Sequence, residues 1–496
     1  MRTQACEPCA KRKVRCDREE PCSNCKRRKQ DHCSYTEVST TAEGTRKPEN
    51  TRTFGSSSAG ADELNRRTSS AVFLASPANT SPHETQEKAT SADQSSKDPV
   101  IVEQDGHQYY LESRTWLVHG RAQAVFLLYK QRVHPFIKIS FSWDLDRLES
   151  ATASRSHDKL DDADRALVAS TFLAAVISLT DAECREKFGH PRATLISECH
   201  ATCEKAMAAT NLLGMKNIVA LKALAIYLFM SMDCLSTQSL WTLMGLAIRN
   251  GEKLGIHRDG TLLRLSPPET EERRRLWWQL QYLDLILAVR LGVTPSTLMI
   301  DWDAKLPLNV EDEDFIPGSQ TFPKERTGLT SMSYCLFTSY VLYEQRQYHA
   351  DKGRFELSWS TNQSISLRTK EDFINHLEDG LNINFIQYCD LIKPLHILLQ
   401  IMSRALICIF RQRILLTGGH VDPKDRGELL ALSVQCIEYS IAFHSQQIIK
   451  DFRWLTTNNF PWPAFMIVLV EASSETDTEK CQRSLERTAG DFMQLS

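Results

Sequence analysis

The 496-residue sequence has no uninterrupted apolar run of the roughly 20 residues that span a bilayer. Its most apolar stretches, Ile218–Met230 and 465–470, are shorter, and the first contains Lys222, so both read as buried core helices. A charged n-region followed by an apolar h-region is also missing, because residues 1–15 are polar and basic. No secretory signal is expected, and the protein is expected to stay inside the cell. Catalytic signatures are equally scarce: there is no H-E-x-x-H, no Walker loop and no G-x-S-x-G elbow. His257, Arg258 and Asp259 echo a kinase catalytic loop, yet Arg264 stands where its Asn belongs and no glycine-rich phosphate loop precedes it. Asp161, Asp162 and Asp164, and the acidic run 311–314, lack the Asp-Asp-x-x-Asp spacing of a helical diphosphate-metal enzyme and read as solvated loops or helix starts. With no catalytic constellation, the chain is expected not to be an enzyme.

Aromatic residues are rare in one long stretch, where Phe54 and Phe73 are the only ones between 36 and 107. Rich in Ser and Thr, that stretch has too little apolar material to offset the entropy of ordering, so 36–108 is predicted to be a disordered linker. It separates a short N-terminal module, 1–35, from a body, 109–496, long enough for a sizeable core. Charge follows the same division. Residues 1–33 hold ten Lys or Arg against five Asp or Glu, a net +5 that leaves −8 on the remainder of a chain at −3. The cation is concentrated where a polyanion would have to bind.

Cysteine is what the module has in quantity. Six of the fifteen fall within it, as Cys6, Cys9, Cys16, Cys22, Cys25 and Cys33, in the pattern C-x2-C-x6-C-x5-C-x2-C-x7-C. A disulfide knot would need an oxidising compartment, which the missing signal disfavours. Two C-x2-C pairs suit zinc, because that spacing lets both thiolates reach one tetrahedral ion at about 2.3 Å. Six thiolates close two tetrahedral sites only if two sulfurs bridge the metals, whereas one zinc would leave two cysteines over; the near-duplication of C-x2-C-x6 and C-x2-C-x7 favours two equivalent half-sites. His32 is surplus to such a set.

On these residues, the Ala-Cys-x-x-Cys start, the basic run before the third cysteine and Pro21 before the fourth, residues 5–35 closely resemble the fungal binuclear zinc-cluster family of transcription factors. The resemblance implies two zinc ions held between two short helices, with Cys6 and Cys22 as bridging thiolates, Cys9 and Cys16 completing one site, and Cys25 and Cys33 the other. It also implies binding of double-stranded DNA: Lys11, Arg12, Lys13 and Arg15 lie in the helix that would enter the major groove, where Arg and Lys donate to guanine O6 and N7 of CGG-like half-sites. Lys26, Arg27, Arg28 and Lys29 are expected on phosphates.

The body reads as predominantly helical, with apolar residues at helical spacing in Leu167, Phe172, Val176 and Leu179 and in Leu276, Leu280, Leu283 and Leu287. Ser266, Pro267, Pro268 and Glu269 form a helix start of N-cap, first-turn proline and capping-box glutamate, leading into 271–290. Arg273, Arg274, Arg275, Leu276, Trp277 and Trp278 are read as part of that amphipathic helix, not as a nucleic-acid surface. Together with Gly255, Gly260, Leu306, Pro307, Leu308 and Asn309, and more weakly Tyr109, Tyr110, Leu111, Val133, His134, Pro135 and Phe136, they resemble the helical regulatory domain of the same family over about 109–315. His134 and His257 are then structural. The expected architecture is a small zinc-templated two-helix module plus a large all-α domain joined by a disordered linker. The expected function is regulation of RNA polymerase II transcription in the nucleus, with transcription machinery or a small-molecule effector meeting the helical domain and no membrane partner. No heptad follows the cysteines, so the protein is expected to be a monomer or to dimerise through the helical domain.

Overall fold

A computed structural model describes residues 9, 16–17, 22–26, 100–104, 107–111, 122–153, 160–293, 295–296, 301–316, 318–350, 359–360, 362–416, 424–456 and 461–474. The chain divides into two compact units, Met1–Ser58 and Ala59–Ser496. In the first, the described helix is α1 (Ser23–Lys26).

The first described residues of the second unit form a strand pair, β1 (Val100–Gln104) and β2 (His107–Leu111), antiparallel with Val100 opposite Leu111 and Gln104 opposite His107. This corrects the sequence reading. Tyr109, Tyr110 and Leu111 belong to a hairpin and not to the start of a helical body, and the expected linker ends in strand residues. The missed signal was the β-branched run of Val100, Ile101 and Val102, followed by the Asp105-Gly106 dipeptide that suits a two-residue hairpin loop. The rest of the expected linker lies outside the described residues.

From Ala122 onward the described structure is helical, and its centre is α4 (Asp162–Ile177). Asp161 caps it, its carboxylate accepting from the Asp164 N–H at 2.7 Å, so this aspartate cluster is a helix start as expected. Beyond the cap the sequence is alanine-rich and apolar, and every residue from Ala166 to Ile177 is buried. Helices α2 (Ala122–Arg132), α6 (Arg192–Ala209) and α7 (Ile218–Met230) pack around it. Small residues, Ala169, Ala174 and Ala175 on α4 and Ala220, Ala223 and Ala225 on α7, keep side-chain bulk low within these two buried helices. The apolar run around α7 is therefore a core helix; its Lys222 is buried and ion-paired with Glu272. Between these elements lie α3 (Ser142–Ala153) and α5 (Asp181–Phe188).

Helix α8 (Thr237–Lys253) packs on the long α9 (Pro267–Leu291). The start of α9 is as expected: the Glu269 carboxylate accepts from the Ser266 N–H at 3.2 Å and its Oγ at 2.7 Å, and Pro267 opens the first turn. Leu276, Leu280, Leu283, Leu287 and Trp277 are all fully buried. The loop from α8 to α9 is held so close that a Cβ at Gly260 would stand 2.5 Å from Thr270 Oγ1 and 2.8 Å from Thr270 Cα, a backbone atom that cannot swing aside. Gly260→Ala should therefore cost about 1–3 kcal/mol. Thermal unfolding of the variant checks it, and an unchanged melting temperature would show that the loop gives way.

The C-terminal helices are α10 (Ser333–Ala350), α11 (Leu367–Asn384), α12 (Pro394–Leu415), α13 (Arg426–Ser445) and α14 (Trp462–Ser474). Among the described helices only α12 is long and apolar enough to cross a membrane, and it packs against α10, α11 and α13. Between α13 and α14 the segment Gln447–Thr456 returns to the start of the body. There Phe136 meets Tyr334, Phe452 and Trp454 edge-on at 4.7, 5.0 and 5.7 Å, and Trp454 Nε1 donates to the Arg132 carbonyl at 3.2 Å. The segment 447–456 thus shares one core with the start of the helical body.

Candidate functional site

In the N-terminal unit, α1 places Cys22 and Cys25 one turn apart, the Cys22 carbonyl accepting from the Cys25 and Lys26 N–H groups at 2.9 Å each. Asp17, next to Cys16, accepts from the Ser23 N–H at 2.9 Å and also from its hydroxyl, tying the loop after Cys16 to the start of α1. These contacts converge on sulfur. The Sγ atoms of Cys9, Cys16 and Cys22 all lie within 4.8 Å of one another, and those of Cys9 and Cys22 are 3.5 Å apart. A disulfide would hold sulfurs at about 2.05 Å. Thiolates on one tetrahedral zinc, with bonds of about 2.3 Å, stand about 3.8 Å apart. The observed spacing suits the second arrangement. Cys9, Cys22 and Cys25 are fully buried and pack with Cys16 in one small cluster. Burial disfavours a thiolate, and a divalent cation at this point would reverse that preference. The donor set therefore fits zinc.

Of the residues expected from sequence, Cys9, Cys16, Cys22 and Cys25 are brought together here, and Lys26 is exposed at the end of α1. Cys6, Cys33, Lys11, Arg12, Lys13, Arg15, Arg27, Arg28, Lys29 and His32 lie outside the described residues.

In the helical body, the three consecutive arginines of α9 serve three separate contacts. Arg273 donates to the Leu254 carbonyl at the end of α8, at 2.8 Å. Arg274 grips Asp259 through two bonds of 2.8 and 2.9 Å. Arg275 bridges Glu271 at 2.9 Å and Asp312 at 2.8 Å, with the Phe141 ring 4.6 Å from its guanidinium carbon. Arg274 and Arg275 are 4% and 3% exposed, which removes them from any nucleic-acid surface. The kinase-like Asp259 is an anchor: besides Arg274 it accepts from the Lys305 N–H at 2.9 Å, joining the loop before α9 to the loop after it.

The acidic run 311–314 is a helix start, one of the two readings offered by the sequence, with Glu311 capping the short turn Asp312–Asp314. Asp312 is nevertheless not solvated, being 1% exposed and accepting from Arg275, from Lys138 at 3.1 Å, and from the Ser142 N–H and Oγ at 3.0 and 2.7 Å. Two carboxylates, Glu271 and Asp312, thus face two cations, Arg275 and Lys138. Burial alone would raise the Asp312 carboxyl, but Arg275 and Lys138 hold it well below the usual carboxylate range. Glu271, fully buried with Arg275 as its nearest cation, is pushed up by burial. His134 is buried nearby with Nε2 2.8 Å from the Ser140 carbonyl, and burial with the neighbouring Lys138 lowers it to about 3. It stays neutral, a structural role as expected. Sequence reading missed the Lys138 pairing because 174 residues separate the partners.

Comparison with known proteins agrees with this geometry. Residues 4–42 match the fungal Zn(2)-Cys(6) binuclear cluster domain, which binds zinc, and residues 126–367 match the fungal specific transcription factor domain. The second match begins later and runs further than the likeness of 109–315 read from sequence. Relatives include the aurofusarin cluster transcription factor aurR2 of Gibberella zeae, 28% identical over 61% of this chain and 46% of that protein. The transcriptional regulator AacuB of Aspergillus aculeatus is 24% identical over 75% of this chain and 51% of its own length. The pyriculol/pyriculariol biosynthesis cluster transcription factor 1 of Pyricularia oryzae is 33% identical over 45% and 30%. The chain spans about half the length, or less, of these relatives. A sulfur cluster in zinc-compatible array, ahead of a helical body matching the regulatory domain, places this chain in the fungal binuclear zinc-cluster family of transcription factors, a family of regulators and not of enzymes.

Proposed function

We propose that this protein is a nuclear, sequence-specific regulator of RNA polymerase II transcription that binds CGG-like half-sites through its N-terminal module. The carrying observation is the convergence of the Cys9, Cys16 and Cys22 sulfurs. Completed by Cys6, Cys25 and Cys33, the cluster holds two zinc ions, with Cys6 and Cys22 bridging. The metal orders the backbone that carries Lys11, Arg12, Lys13 and Arg15 into the major groove, and Lys26, Arg27, Arg28 and Lys29 neutralise phosphates. Phosphate contacts position such a protein, and base contacts specify its site. The helical body governs activity and contributes no DNA affinity, since the chain beyond residue 33 carries a net −8 and Arg274 and Arg275 are buried in ion pairs. A self-association, if present, runs through this body. Two relatives named above are factors of clusters, one of them a biosynthesis cluster, so genes of such a cluster are the first targets to examine.

Selection from random duplexes with the full chain tests this reading. Enrichment of CGG-containing sites is expected, and a pool that stays random overturns it. The division of labour has its own signature. Lys13→Ala should reduce discrimination between specific and random DNA by about 1–3 kcal/mol, while Arg28→Ala weakens binding to all sequences and lowers the salt slope by about one. Titrations at several salt concentrations distinguish them, and equal effects on both kinds of DNA would mean the roles are misassigned.

A further inference from the structure

In the helical body, Cys408 on α12 and Cys436 on α13 meet where these two helices pack. The Cys436 Sγ donates to the Cys408 Sγ at 3.1 Å, and the Cys408 Sγ donates to the Leu432 carbonyl, one turn before Cys436, at 3.1 Å. Both cysteines are buried in a small cluster with Leu432, Ile437, Ala464 and Val468. Among the described residues, no third His, Cys, Asp or Glu joins them in a metal-ligand group. Their sulfurs also stand closer than the about 3.8 Å of two thiolates on one tetrahedral zinc. A disulfide holds its sulfurs at about 2.05 Å. The gap to be closed is about 1 Å, and half of it from each side chain lies within the spread of one rotamer well. Closing it strands no buried acceptor, because the Leu432 carbonyl keeps the Cys436 amide as its helical partner.

We infer that Cys408 and Cys436 form a reversible disulfide when the protein meets hydrogen peroxide, joining α12 to α13. The Cys408 thiolate attacks one peroxide oxygen and the O–O bond breaks, giving a sulfenic acid and a hydroxide that takes up the proton Cys408 released. The Cys436 sulfur then attacks the sulfenic sulfur; the S–S bond forms, the S–O bond breaks, and the Cys436 proton leaves with the hydroxyl as water. Two thiols are oxidised and one peroxide is reduced to water. Cys408 is the attacking sulfur: the Cys436 S–H donation and nearby Arg411 lower it despite burial, whereas the same bond and burial raise Cys436. The two are 3% and 5% exposed, so the oxidant has to be as small as a peroxide and reaches them through local opening of the body. A link across 28 positions fixes α12 against α13 and restricts the unfolded chain. Its consequence for transcription rests on the regulatory reading of the helical body; the bond itself does not.

The test uses the full chain loaded with zinc, without DNA. The protein is treated with hydrogen peroxide, remaining thiols are blocked with N-ethylmaleimide under denaturing conditions, and tryptic fragments are identified by mass spectrometry. Cleavage after Arg404, Arg411, Arg426 and Lys450 places Cys408 in 405–411 and Cys436 in 427–450, each the single cysteine of its fragment. The two fragments should appear joined, outweighing every other pairing of either cysteine about tenfold, because the partners react at an intramolecular effective concentration. Dithiothreitol should return both to forms that N-ethylmaleimide labels. The helical body of the oxidised protein should melt several degrees higher than that of the reduced protein, a rise absent from Cys436→Ser treated alike. Both cysteines still labelled after treatment, Cys408 found as sulfinic acid in place of the link, or a preference of either for another cysteine overturns the proposal. A link that leaves melting unchanged or lower overturns the claim that the fold presets it. The mapping needs no variant and so stands even if Cys436→Ser does not fold. Because DNA is absent, these failures are distinct from a failure of the transcriptional reading.

Discussion

Chelating zinc from the full-length protein is expected to abolish retention of a specific DNA probe while leaving the melting transition of the helical body in place. The N-terminal module is short, its sequence offers few large apolar side chains, and among its described residues the buried cluster consists of cysteines. Structural zinc contributes about 10–16 kcal/mol of apparent binding energy in comparable peptides, more than so small a unit can replace by packing. The loss should therefore be complete. Zinc content measured per chain should be two, and binding should return when two equivalents of zinc are restored. Cys22→Ser sharpens the test. In the bridging role proposed for Cys22, its loss should empty both sites, whereas Cys25→Ser should spare the site proposed for Cys9 and Cys16 and leave zinc near one. One zinc in the unmodified protein, or DNA binding that survives chelation, would refute the bridged cluster.

The second large effect should come from the buried charge group of the helical body. Asp312→Ala leaves Lys138 and Arg275 facing a single carboxylate inside the protein, where removing one partner of a buried pair costs about 3–5 kcal/mol. The Ser142 N–H also loses its acceptor. Denaturant titration of the variant measures the cost, and a loss below about 1 kcal/mol would show that water reaches the site. Acidification offers a second reading. Asp312 is held below the value of about 3.9 expected in the unfolded chain, so its contribution is fully present above that pH and is lost as pH falls through the folded value. Glu271 acts in the opposite sense, its raised value favouring the fold on the acid side. Comparison with Asp312→Asn isolates the first contribution, and the acid loss of stability should be shallower in the variant.

Legibility in the sequence followed the range of the interactions. The start of α9 was readable because Ser266, Pro267 and Glu269 act within one turn, and the zinc module because its ligands stand at short fixed spacings. The segment 273–278 was legible as part of an amphipathic helix, since Leu276, Leu280, Leu283 and Leu287 set its buried face, but the burial of Arg274 and Arg275 was not. What periodicity could not supply was partnership across the chain. Arg274 with Asp259, and Asp312 with Lys138, depend on loops converging after folding, so the burial of Asp312 at its helix start was not legible. The hairpin at Val100 was hidden by the polar composition around it.

Helix α7 has no solvent-facing side beyond its first turn, being buried from Ala220 to Met230 against α4 and its neighbours. Its amide protons can meet solvent deuterium only when the surrounding helices separate, so local fraying offers them no route. The slowest exchanging amides of the molecule should therefore lie on α4 and α7, and their exchange rate reports the opening of the whole helical body. A molecule that binds anywhere in that body and stabilises it would be registered there, as slower exchange at positions it never touches.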